Sequence, residues 1–148
     1  MAKLTVLSYQ CEEISEDIGS IVLKEVELSD PGPGEVRVRL KACAVNFPDL
    51  LMIQGKYQFK PPLPFAPGSE AAGDIEACGP ECGFKEGDKV IVSMRCGGFS
   101  EGVVVDQSQV RAIPEGMEYG PAASYQTAYL TAYVCLLYTS DAADDRMR

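Results

Sequence analysis

The stretch PGPGEVRVRLKACAVNFPDLLMIQG, Pro31 to Gly55, moves from a turn to a strand to a short helix within 25 residues. Pro31-Gly32-Pro33-Gly34 is a turn cluster. After it Val36, Val38, Leu40 and Ala42 alternate with Arg37, Arg39 and Lys41, the period of a strand with one buried and one wet face. The pattern then changes. Leu50, Leu51 and Ile53 take short-helix spacing over 47–54, with Asn46 as N-cap, Pro48 in the first turn where its missing N–H does no harm, and Gly55 as the stop.

Working outward, Leu4–Leu7 and Ile21–Leu28 read as further strands, and Lys60–Gly68, with prolines at 61, 62, 64 and 67, as an extended loop. Strands resume at Ala71–Ala77, Lys89–Met94 and Phe99–Asp106, and Tyr119–Val134 reads as a helix. Many short strands with one short helix suggest a mainly β, Greek-key barrel. Gly68, Gly73, Gly97 and Gly98 are read as backbone requirements, for positive φ or close strand approach. No glycine-rich GxGxxG turn follows a strand, so no dinucleotide-binding fold is expected within the sequence.

The 148 residues are enough for one domain. A net charge of −9 argues against nucleic acid or an anionic membrane surface as partner. No window approaches the roughly 20 apolar residues of a membrane span, and the expectation is a soluble, cytoplasmic protein. Cysteines at 11, 43, 78, 82, 96 and 135 are scattered, which favours reduced thiols. The spacing of Cys78 and Cys82 is loosely ligand-like, but only a remote third thiol could join them. The sequence has no histidine, which removes Ser-His-Asp and Cys-His catalysis and every histidine-containing zinc site.

Pro31–Tyr57, Pro64–Gly79 (PFAPGSEAAGDIEACG), Phe84–Val92 (FKEGDKVIV), Gly97–Val105 (GGFSEGVVV) and Ile113–Val134 occur in an order and spacing that resemble one known domain. It is the GroES-like catalytic domain of the medium-chain dehydrogenase/reductase superfamily, in its zinc-independent quinone oxidoreductase branch. The resemblance implies a partly open Greek-key barrel over 1–121. Residues 122–134 would begin a linker helix toward a Rossmann nucleotide-binding domain missing from this sequence. The segment CLLYTSDAADD, Cys135–Asp145, instead resembles a translated sequencing adapter, and 135–148 are expected to lie outside the fold.

In the zinc-dependent members a histidine stands where this chain has Ser69 and a cysteine where it has Asn46. Hydroxyl and amide are poor zinc donors, so the resemblance implies no metal. Nor does the sequence leave room after Met94 for the structural-zinc lobe of those members. The implied reaction is hydride transfer from NADP(H) to a small-molecule quinone or enone, in full-length proteins that form homodimers. The resemblance gives Asn46 a place beside the nicotinamide, Asp49 and Tyr57 places at the catalytic cleft, and Thr131 a place near the cofactor. Asn46 also serves as a plain N-cap, Asp49 as a carboxylate favoured by the helix dipole, Tyr57 as loop packing and Thr131 as a helix-surface hydroxyl. Glu70 is expected to be structural, since a buried carboxylate needs partners. Two other readings remain: a co-chaperonin-like binding barrel, and a zinc alcohol dehydrogenase with degenerate ligands.

Overall fold

The computed structural model describes residues 4–145, with 138–145 described by their backbone alone. In chain order the elements are β1 (Leu4–Cys11), β2 (Ile21–Leu28), β3 (Glu35–Cys43), α1 (Phe47–Ile53), β4 (Glu70–Cys78), β5 (Lys89–Ser93), β6 (Gly102–Asp106), β7 (Val110–Ala112) and α2 (Tyr119–Asp145). The expected mainly β architecture is present. β1 and β2 form one antiparallel pair, and the other five strands form a sheet in the order β6-β3-β4-β5-β7. The two sheets do not close into a barrel. Short backbone contacts join them, Tyr9 N–H to the Phe99 carbonyl and Cys11 N–H to the Phe65 carbonyl, both at 2.8 Å. Every strand pairing among the described residues is antiparallel, so they contain no parallel βαβ unit.

The alternation in β3 decides which face is buried. Val36 and Val38 are fully buried and pack with Ile75, Val90, Val92, Val105 and Val110, one apolar face drawn from all five strands. On the opposite face Arg37 and Arg39 both reach Glu76 at 3.1 Å. Further along that face the charges give way to small residues, and α2 packs there through Ala122 and Ala123 against Ala72. The core is close-packed around Ile75, so Ile75→Val, which removes one methyl, should cost about 1 kcal/mol in urea unfolding.

Three boundaries differ from the sequence expectation. β1 continues to Cys11, because Ser8–Cys11 completes the register with Ile21–Lys24 of β2. The strand expected from Phe99 begins only at Gly102; Phe99 and Ser100 instead bind across to β1. α2 extends beyond Val134 to Asp145, and the sequence from Ala122 to Asp145 offers no glycine or proline to stop it.

Candidate functional site

The chain leaves β3 and turns into α1 at Asn46, whose backbone is extended (φ −117°, ψ 154°) as an N-cap requires. Asp49, in the first turn, folds back so that one carboxylate oxygen accepts the Asn46 N–H at 2.8 Å. Its other oxygen accepts the Gly68 N–H at 3.2 Å. Gly68 itself sits at φ +98°, and a Cβ there would lie 2.7 Å from the Phe99 ring. Thus the glycine of the Pro67-Gly68-Ser69 corner lets its backbone reach the carboxylate.

Asp49 is 1% exposed. Burial raises its pKa, and this outweighs the two N–H donors that favour the charged form; the neighbouring Glu70 charge pushes in the same direction as burial. The folded chain therefore holds this proton more tightly than the unfolded chain does. The group's contribution to stability is complete at low pH and declines as pH rises through the raised value. Asp106 runs the opposite way, lowered by its bonds to Ser108. Carboxyl-carbon NMR titration should place the Asp49 midpoint above the Asp106 midpoint.

Glu70 lies at the head of β4, 2% exposed. One oxygen accepts the Asn46 side-chain amide at 2.9 Å. The other accepts the backbone N–H of Thr127 on α2, also at 2.9 Å. A single carboxylate therefore ties the α1 corner to α2, which is the structural role expected of it. Nearby, Ser93 Oγ bonds to Gln126 on the same helix. Ser69, Glu70, Met94, Arg95, Gln126 and Thr127 are among the residues lining a polar cleft of about 310 Å³ beside this junction. The Cys43 thiol adjoins it, donating to the Glu70 carbonyl at 3.2 Å. Burial, followed by the charges of Asp49 and Glu70, pushes this thiol up to about 12.

The structure brings Asn46, Asp49 and Glu70 into one hydrogen-bonded group. Tyr57 stands apart from that group, half-buried against the cluster of Cys11, Met52, Ile53 and Phe65 together with Phe59. Arg95 lies over the Phe59 ring, 5.0 Å from its centroid, between that cluster and the cleft. Thr131 is exposed on α2, four residues beyond Thr127. Thr127 and Gln126 were not apparent as site residues in the sequence. Thr127 acts through its backbone, which no side-chain motif records. Among the described residues no three cysteine or carboxylate side chains gather to hold a metal ion.

The sequence profile of the alcohol dehydrogenase GroES-like domain matches residues 32–125. The chain belongs to this family. Human synaptic vesicle membrane protein VAT-1 homolog is 45% identical over 107 residues, which are 72% of this chain and 27% of the relative. Mouse quinone oxidoreductase-like protein 2 is 36% identical over 127 residues, 85% of this chain and 35% of the relative. Among solved structures, the quinone oxidoreductase of Thermus thermophilus, described with its NADPH complex, superposes with a TM-score of 0.69 at 29% identity. That match covers 90% of this chain and 41% of the other. These relatives place the GroES-like domain in the medium-chain dehydrogenase/reductase superfamily, a family of oxidoreductases. The chain spans well under half the length of each. No helix among its described residues is long and apolar enough to cross a membrane.

Proposed function

We propose that this GroES-like domain is the acceptor-side domain of a reductase that passes hydride from NADPH to a small quinone or enone without catalytic zinc. One observation carries the reading: Asn46 is held against Glu70, which lines the cleft, by two buried carboxylates whose oxygens already accept hydrogen bonds. Each of the four carboxylate oxygens accepts a bond from an N–H group, so both carboxylates have protein partners without a metal. The side chains at the two zinc-ligand positions, Asn46 and Ser69, offer an amide and a hydroxyl, which are poor zinc donors. The donor set therefore supports a metal-free site. The NADPH and quinone chemistry of the Thermus thermophilus relative supports the cofactor and acceptor.

In this reading NADPH, when bound, supplies the hydride. Asn46 spends one amide hydrogen on Glu70 and keeps the rest of its amide to orient the nicotinamide or the acceptor. Asp49 fixes the Asn46 backbone. Tyr57 donates to the acceptor oxygen on which negative charge develops, and Thr131 borders the cofactor. The domain boundaries follow the same reading, with 1–121 the acceptor-side domain and 122–134 the linker helix, which the structure continues as α2 to Asp145. The whole protein is cytoplasmic and homodimeric.

In the whole protein, Asn46→Ala should lower kcat/KM for quinone reduction by about 100-fold, because it loosens the geometry of approach. Residues 1–148 alone should oxidise no NADPH in the presence of quinone. Micromolar NADPH binding and turnover by those residues would overturn the division of labour. Metal analysis checks the other half, since about one tightly held zinc per chain would favour a zinc alcohol dehydrogenase instead.

A further inference from the structure

We propose that Cys78 and Cys82 form a reversible modification site, a dithiol that hydroperoxides oxidise to a disulfide, with Cys82 as the attacking sulfur and Cys78 as the resolving one. The two lie at the end of β4 and in the turn that follows, away from the Asn46–Glu70 junction. Both are free thiols, half-buried against the valine core. Their sulfurs converge on the backbone of one residue. The Cys78 thiol donates to the Phe84 carbonyl at 3.3 Å, and the Phe84 N–H donates to the Cys82 sulfur, also at 3.3 Å. Burial, followed by the neighbouring Cys82 thiol, raises the Cys78 thiol to about 11.

The turn joining them is held from outside. Gly79 N–H binds the Glu35 carbonyl at 2.9 Å, and the Pro80 carbonyl accepts the Gly34 N–H at 2.7 Å. The side chain of Gln107 bonds the Glu81 carbonyl at 3.1 Å and the Gly83 N–H at 2.8 Å. Four fastenings around a short turn keep the sulfurs in one arrangement, which lowers the entropy lost when a bond closes.

The hydrogen bonds also assign the order of attack. An N–H aimed at a sulfur favours negative charge there, whereas a thiol that donates its proton to a carbonyl keeps it. The thiolate of Cys82 attacks a peroxide oxygen and the O–O bond breaks, leaving a sulfenic acid on Cys82 while the departing oxygen takes up a proton. The Cys78 sulfur then attacks the Cys82 sulfur, the S–O bond breaks, and the hydroxyl leaves as water with the Cys78 proton. Two electrons pass from the sulfurs to the peroxide. Closure requires Cys78 to part with its proton, so the reaction should quicken toward alkaline pH.

Trypsin leaves Cys78 and Cys82 on one peptide, 57–85, that holds no other cysteine, because Lys60 precedes proline. After the full native chain is exposed to hydrogen peroxide and free thiols are alkylated, that peptide should carry no alkyl group and should have lost the mass of two hydrogens. Dithiothreitol should restore both alkylation sites. Cys78→Ser should leave a sulfenic acid on Cys82 that dimedone captures, whereas Cys82→Ser should leave Cys78 open to alkylation. Two alkylated cysteines after a peroxide dose that fully oxidises glutathione would overturn the site. A dimedone adduct on Cys78 in Cys82→Ser, with none on Cys82 in Cys78→Ser, would overturn the assigned order.

Discussion

Glu70→Ala should lower the unfolding free energy by about 3 kcal/mol or more, a large cost for removing one side chain that forms no ion pair. The carboxylate is 2% exposed, and it accepts from the Asn46 amide on one side and the Thr127 N–H on the other. Alanine leaves both donors facing a space with no acceptor. Each unsatisfied buried donor costs about 1–3 kcal/mol, and the vacated volume adds to this. Glu70→Gln keeps one carbonyl oxygen and turns an NH2 toward the other donor, so it should fall between wild type and alanine. Urea unfolding gives the ranking, and amide exchange at Thr127 gives the location. The Thr127 amide should exchange faster in Glu70→Ala, because the bond lost there is its own. A cost below about 1 kcal/mol for alanine would mean that the carboxylate does not tie α1 to α2.

Much of this junction was legible in the sequence, since Asn46, Pro48 and Asp49 follow the rules for starting a helix, and those rules hold in the structure. The strand alternation from Val36 to Ala42 placed the core face and left Arg37 and Arg39 on the charged face, where they meet Glu76. What could not be read depends on partners distant in the chain. β7 is three residues long and exists because Val110–Ala112 pairs with Val90–Val92; three residues carry no periodicity. Phe99 and Ser100 look like strand residues, but the Phe99 carbonyl accepts the Tyr9 N–H and the Ser100 hydroxyl donates to the Leu7 carbonyl, both on β1 and more than 85 positions earlier. Thr127 joins Glu70 across 57 positions through a backbone N–H that every non-proline residue possesses. Tyr57 and Thr131 owe their assigned roles to family resemblance, and the hydrogen bonds of this domain do not include their side chains in the Asn46 group.

Gly73→Ala should be among the most damaging small substitutions in the domain. Gly73 lies in the middle of β4, opposite Leu40 of β3 and Val90 of β5, so its strand is bonded on both edges. A Cβ at this position would stand 2.0 Å from the Arg39 carbonyl oxygen, 2.8 Å from the Arg39 carbonyl carbon and 2.9 Å from the Leu40 Cα. All three are backbone atoms, and no side-chain rotation relieves the overlap. Either β3 moves away from β4 or the register slips, and a slip of one residue would turn buried positions outward. The cost should be about 4 kcal/mol or more, a large part of the stability of a domain this size. Gly120→Ala is the matched control: nothing lies within 4 Å of its Cβ position in the first turn of α2, and alanine there should be neutral or stabilise by up to about 1 kcal/mol. Because Gly73 lies three positions after Glu70 on the same strand, a separation of β3 and β4 should also disturb the Asn46 amide signal. A Gly73→Ala protein that unfolds at the wild-type urea midpoint would show that β3 and β4 are not packed this closely.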